Sequence, residues 1–203
     1  MAQVRDRSTQ AAAARFDTMM RGLEERFFPD ARQWVCSRAV GSTLEIAIGT
    51  GLNLAHYPDE VELTGIDLNV AALEFAAGRA RGLGRELRTE VADALALPYP
   101  DGHFDSVVCT FALCEVPQVG PALTEFARVL RPTGRLLLAD HIAATNPLVW
   151  LGQRLLEAAT IPISGEHFTR RPLEDLAAAG LMVLESQRRT NGAIEYVHAR
   201  RAQ

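Results

Sequence analysis

Leu44-Glu45-Ile46-Ala47-Ile48-Gly49-Thr50-Gly51-Leu52-Asn53-Leu54 is the stretch on which the fold turns. Leu44, Ile46 and Ile48 read as a buried strand, and Gly49-Thr50-Gly51 ends it in a sharp turn. Leu52, Leu54 and Ala55 follow and are expected to open a helix. Strand, glycine turn and helix start form the place where an α/β protein binds an anionic or nucleoside ligand, at the carboxyl end of its sheet. Glycine suits the turn because the backbone bends sharply and a ligand must approach it closely. A second apolar run, LTGID, ends in Asp67, an acid placed to accept hydrogen bonds from ribose hydroxyls.

Working outward, residues 31–40 read as a short helix stopped by Gly41. Strands are expected over 43–48, 61–66 and about 86–91, with a helix over 70–82 capped by Asn69. VADALALPYPDGHF is a loop punctuated by Pro98, Pro100 and Gly102. FDSVVCTF is apolar enough for a strand buried on both faces. A helix over 118–130, a strand over 135–140, a helix opening at Asn146-Pro147 and a short helix over 172–179 follow. Two alternating runs, 181–187 and 193–200, flank Asn191-Gly192, a hairpin signal. The expected fold is α/β: a Rossmann-like, doubly wound, mostly parallel seven-stranded sheet with an antiparallel C-terminal hairpin. It is one domain over residues 1–203. Residues 9–23 carry Phe16, Met19, Met20 and Leu23 at helical spacing. They place a helical lid within residues 1–40, or else a helix packed on the sheet edge. Residues 141–180 are expected to form an insert on one side of the ligand site.

The bulk properties exclude several classes. A length of 203 residues and 48% hydrophobic content give ample core for one domain. A net charge of −4 gives no reason to expect nucleic acid. Every basic residue is arginine, so neither a Schiff-base lysine nor the lysine of a phosphate-binding P-loop is available. Cys36, Cys109 and Cys114 are too few for a disulfide framework or a zinc site, and Cys109 is expected as a buried free thiol. The charged start does not read as a signal peptide, and no apolar run approaches the roughly 20 residues that span a bilayer. A cytoplasmic chain without integral membrane association is expected, as a monomer or homodimer.

The glycine pattern lacks the sixth-position glycine of a dinucleotide fold, since Leu54 stands there. Its context resembles instead the class I S-adenosylmethionine-dependent methyltransferases, in the subgroup named after ubiquinone and menaquinone enzymes. The first motif stands as E-I-A-I-G-T-G-L-N, Glu45 to Asn53, with Ala47 where the family has its first glycine. The second-strand acid is Asp67, the adenine-side acid is Asp93, and the L-R-P-G-G turn stands as Leu130 to Gly134 with Thr133 in one glycine place. VVCTFALCEV, Asp140-His141, QRLLE and HFTRRPLEDLAAAGL further resemble methyltransferase-like thiol S-methyltransferases.

The resemblance implies S-adenosylmethionine as cofactor and S-adenosylhomocysteine as product. Gly49 and Gly51 would offer backbone to the methionine carboxylate, with Thr50 between them also on the cofactor side, and Glu45 would orient the ammonium. Asp67 would accept from both ribose hydroxyls, a role that can coexist with capping the following helix. Asp93 would accept from the adenine amine beside the Ala94 N–H, or else hold its own loop as an Asx-turn. Leu68 would pack on adenine, while Ala47, Asn53, Thr110 and Phe111 complete the cofactor side. Phe16 stands where the family often has a lid tyrosine. His141 and His167 are the candidates for a general base, or structural histidines. Cys114 and Glu115 could face the acceptor; Arg170 and Arg171 could bind an acidic substrate, though a solvated surface is the favoured reading for them. The apolar side chains of 141–170 (Leu148, Trp150, Leu151, Ile161, Ile163, Phe168) imply a small hydrophobic acceptor such as a thiol, phenol, quinone or lipid-like molecule. Transfer would be an in-line displacement governed by alignment. An NAD(P)-dependent oxidoreductase and a non-catalytic binding module are the alternatives. No Tyr-x-x-x-Lys pair is possible without lysine.

Overall fold

The computed structural model describes Gly22, residues 26–164 and residues 167–202. Apart from Gly22, the helix expected over 9–23, Phe16 included, lies outside the described residues. The apolar runs become β1 (Ser42–Ile46), β2 (Glu62–Asp67), β3 (Leu87–Val91), β4 (Phe104–Thr110), β5 (Leu130–His141), β6 (Leu181–Arg189) and β7 (Ile194–Arg201). They form one sheet in the order β3-β2-β1-β4-β5-β7-β6. β1 pairs parallel with both β2 and β4, β4 pairs parallel with β5, and β7 runs antiparallel between β5 and β6. The expected seven-stranded, doubly wound sheet is therefore present.

The described residues also form α1 (Ala31–Cys36), α2 (Val70–Gly82), α3 (Val119–Val129), α4 (Pro147–Ser164) and α5 (Pro172–Leu176). The strand period of two assigns the layers. On one face Val107, Cys109, Leu136 and Leu138 meet Leu123 and Phe126 of α3 and Leu176 of α5. On the other, Val108 and Leu137 meet Trp34 and Val35 of α1 and Leu73 and Ala76 of α2. Burial on both faces, at about 1.5–3 kcal/mol for each fully buried Val, Leu or Phe side chain, holds β4 and β5 at the centre. Neighbours of β1 diverge at β2 and β4, so a crevice opens beyond their carboxyl ends.

Three local expectations change. β1 ends at Ile46, because Ala47 takes φ +51° and leaves the ladder. No α-helix follows Gly51. A single 3-10 turn, Leu54–His56, stops where Tyr57 turns extended ahead of Pro58, and a residue before proline is pushed out of helical conformation. The hairpin is wider than a two-residue turn, with positive φ at Thr190, Asn191 and Gly192.

Candidate active site

The two glycines of the turn do different work. An added Cβ at Gly51, where φ is +80°, would stand 2.7 Å from Leu54 Cδ1 and 3.1 Å from Ala76 Cα of α2. Gly51 is therefore the point where the turn lies against a helix. Gly51→Ala is expected to cost about 1–2 kcal/mol in thermal or urea unfolding, from strained φ together with that contact; an unchanged midpoint would contradict it. At Gly49, φ +57°, an added Cβ would approach nothing nearer than Ala47 O at 4.0 Å, so its bare edge borders open space. The expected backbone donors are engaged elsewhere. Gly49 N–H donates to Asp67 Oδ2 at 2.9 Å, and Gly51 N–H donates to Ile48 O at 3.0 Å.

Beneath the turn lies a buried polar network. Glu45, only 2% exposed, accepts from Asn53 Nδ2 at 2.8 Å and from the Tyr57 hydroxyl at 2.9 Å. Asn53 Nδ2 also donates to Thr110 Oγ1 at 2.9 Å, and Arg32 Nη1 donates to Asn53 Oδ1 at 2.7 Å. Burial pushes the Glu45 carboxyl up to about 7, against the lowering pull of the Tyr57 and Asn53 hydrogen bonds and the Arg32 charge. Asn53 is thus an internal brace joining β1, β4 and α1.

A cleft of about 180 Å³ opens over this network, lined among others by Arg32, Glu45, Gly49, Asp67, Thr110 and Phe111. Ala47, Thr50 and Glu115 also border it. Asp67 sits at the end of β2, its other oxygen Oδ1 accepting the Asn69 N–H at 2.8 Å. Asn53, Leu68, Asp93 and Ala94 do not border the cleft. Leu68 is 69% exposed, and Asp93 Oδ1 accepts the Leu95 N–H at 2.9 Å in an Asx-type turn. Arg32 and Leu52 border the cleft without having been expected there. Nothing in the spacing of α1 marks Arg32, which reaches the site only because α1 packs across β4 and β5.

On the far side of Phe111 stands His141. Its ring lies 5.3 Å from those of Phe111 and Phe168 and 5.9 Å from that of Phe28, centroid to centroid. Burial pushes its pKa down to about 4, and its Nδ1 is buried without a hydrogen-bond partner. Next to it, burial raises Asp140 to about 6, although that carboxylate accepts N–H bonds from Leu113 and His141, each at 2.7 Å. His167 is tied differently: its backbone N–H donates to Cys114 O at 2.9 Å, and its Nδ1 lies 3.8 Å from Glu157 Oε1. Glu157 is buried and accepts from the backbone and hydroxyl of Thr169.

The bare edge at Gly49, a carboxylate at the tip of β2 and a second beneath the turn suit a ligand carrying a vicinal diol and an ammonium group. The comparisons agree with that geometry. A family profile described as "Methyltransferase domain" matches residues 44–138, from β1 to β5. Over 168 residues the chain is 33% identical to a ubiquinone/menaquinone biosynthesis C-methyltransferase of Dinoroseobacter shibae, covering 77% of this chain and 66% of that protein. Over 105 residues it is 37% identical to a phosphatidylethanolamine N-methyltransferase of Cereibacter sphaeroides, covering 51% and 52%. The chain thus spans between about half and two thirds of the length of these curated relatives. In fold it is similar to a geranyl diphosphate C-methyltransferase of Streptomyces coelicolor, with a TM-score of 0.68 at 16% identity over 84% of this chain and 79% of that one. Sheet order, cleft position and sequence likeness converge, and the chain belongs to the class I S-adenosylmethionine-dependent methyltransferases.

Proposed function

We propose that this chain transfers a methyl group from S-adenosylmethionine to a small hydrophobic acceptor. One observation carries the reading: Glu45 and Asp67 face the same cleft, across the bare edge of Gly49, at the sheet's switch point. When bound there, the cofactor supplies a methyl group already activated on a sulfonium. The protein's work is then to hold and align. Asp67 would take the ribose hydroxyls with the lone pairs that its two N–H bonds leave over. Glu45 would face the ammonium, and Arg32 is placed to meet the carboxylate. Thr110 and Phe111, at the end of β4, would border the reacting methyl.

Residues 141–180 would form the acceptor side. The phenylalanine rings around His141 make that side apolar and water-excluding, which favours a hydrophobic acceptor. The names of the two curated relatives, one speaking of phosphatidylethanolamine and one of ubiquinone and menaquinone, support the same class. His141 is neutral at pH 7 and offers a lone pair to an acceptor proton; His167, in the loop after α4, is the second candidate. The three cysteines are buried and none is in a disulfide, which suits a reducing compartment such as the cytoplasm. No helix among the described residues is long and apolar enough to cross a membrane.

The test is methyl transfer from labelled cofactor across thiols, phenols, quinols and lipid amines. Incorporation into an apolar acceptor is expected, with none into hydrophilic analogues. No transfer to any member of the panel, despite cofactor binding, would leave only a binding module. Thermal shift with S-adenosylhomocysteine but not with NADH separates the methyltransferase from an oxidoreductase.

A further inference from the structure

Three metal-ligating side chains meet where β4 and β5 end. Cys114 lies in the turn after β4, and Asp140 and His141 are the last two residues of β5. One donor atom from each lies within 4.8 Å of the others. Cys114 and Asp140 are 2% and 3% exposed. The His141 Nδ1 is the member without a hydrogen-bond partner, and buried polar atoms are ordinarily paired.

We propose that Cys114, Asp140 and His141 form a three-ligand site for a thiophilic divalent ion of the zinc class. Thiolate sulfur, imidazole nitrogen and carboxylate oxygen are the donors such an ion takes. Three protein ligands with a fourth position open are the pattern of a reactive rather than a structural site. Bonds of about 2.0–2.3 Å set tetrahedral donors roughly 3.5 Å apart, so side-chain movements of about 1 Å close the site. The carboxylate is already oriented. Asp140 Oδ2 accepts the Leu113 N–H and Oδ1 the His141 N–H, and the Cys114 backbone N–H and thiol donate to the same carboxylate, so the lone pair offered to an ion is the one the thiol gives up. The Cys114 thiol now donates to Asp140. On ion binding its S–H bond breaks, the proton goes to solvent, and a sulfur–metal bond forms. Phe28, Phe111 and Phe168 surround the imidazole and restrict access to the fourth position.

This inference rests on the acceptor-side reading of residues 141–180 and names a class within it. A soft ion beside Phe111 selects a soft acceptor, a thiol. The thiol would lose its proton to solvent on ligation and leave as a thioether once sulfur takes the methyl group. No protein base is then needed at neutral pH.

The test is titration of chelator-treated protein with Co²⁺ under a non-thiol reductant. One equivalent is expected to bind saturably, with a thiolate-to-cobalt charge-transfer band and the d–d bands of a tetrahedral site. Cys114→Ser should abolish the charge-transfer band, while Cys36→Ala, outside the cluster, should keep it. His141→Phe retains a ring among the phenylalanines and is expected to weaken Co²⁺ at least tenfold with the melting temperature held. Non-saturable binding, or a charge-transfer band that survives Cys114→Ser, would overturn the site. S-adenosylhomocysteine calorimetry on the same preparations separates the two readings. Cofactor binding without Co²⁺ binding overturns the ion site alone; Co²⁺ binding without cofactor binding overturns the cofactor reading alone.

Discussion

Asp67→Ala is expected to weaken S-adenosylhomocysteine binding about hundredfold by calorimetry. Hydrogen bonds to a charged group contribute about 1.5–3 kcal/mol each. Losing a pair of them to a ribose diol removes about 3 kcal/mol, which is the hundredfold. The same carboxylate also fixes the turn, since it accepts the Gly49 and Asn69 N–H groups. Part of the loss would therefore come from a Gly49 edge no longer held. Asp67→Asn separates the contributions: it keeps one acceptor oxygen and should sit near tenfold. Affinity within threefold of the parent in the alanine variant would remove Asp67 from the site and, with it, the placement of the nucleoside over β2.

How much of this could be read from the chain depends on the range of the interaction. β4 was legible because Phe104–Thr110 is buried on both faces and a continuous apolar run has few other uses. The antiparallel end of the sheet was legible from two alternating runs around Asn191-Gly192. That Asp67 borders the cleft at the tip of β2 was legible because a fixed chain spacing separates it from the glycine turn. What failed was non-local or competitive. The helix expected after Gly51 gave way to Pro58 and to Asn53, whose amide is used up inside the protein by Glu45, Thr110 and Arg32. Arg32, Tyr57 and Phe28 have no signature, because each meets its partner only through tertiary packing. Asp93 shows a different limit: the same Asp serves an Asx-turn or an adenine amine, and it spends one oxygen on the former.

Glu45 is where the energetics of the turn concentrate, and Glu45→Ala is expected to lower unfolding stability by about 3 kcal/mol. The substitution orphans the Tyr57 hydroxyl and one Asn53 donor, both buried, and opens a cavity. The conservative Glu45→Gln isolates the charge. Burial raises the Glu45 carboxyl from 4.5 to about 7, so between those values the folded state holds a proton that the unfolded state has released. Its stabilising contribution is complete below about 4.5 and is lost as pH rises through 7, a change of about 3 kcal/mol. Asp140, raised from 3.8 to about 6, adds a decline in the same direction. His141, lowered from 6.5 to about 4, opposes both with a rise that ends near pH 6.5. Stability measured by urea unfolding should therefore fall between pH 6.5 and pH 8, and Glu45→Gln should remove that fall. Ligand binding should run the other way. A bound ammonium favours the ionised carboxylate, so binding releases a proton while Glu45 is protonated. S-adenosylhomocysteine affinity should rise about tenfold from pH 6 to pH 8 in the parent, and stay level in Glu45→Gln. A pH-independent affinity in the parent would place the ammonium away from Glu45, and the buried carboxyl would then serve only to brace Asn53 and Tyr57.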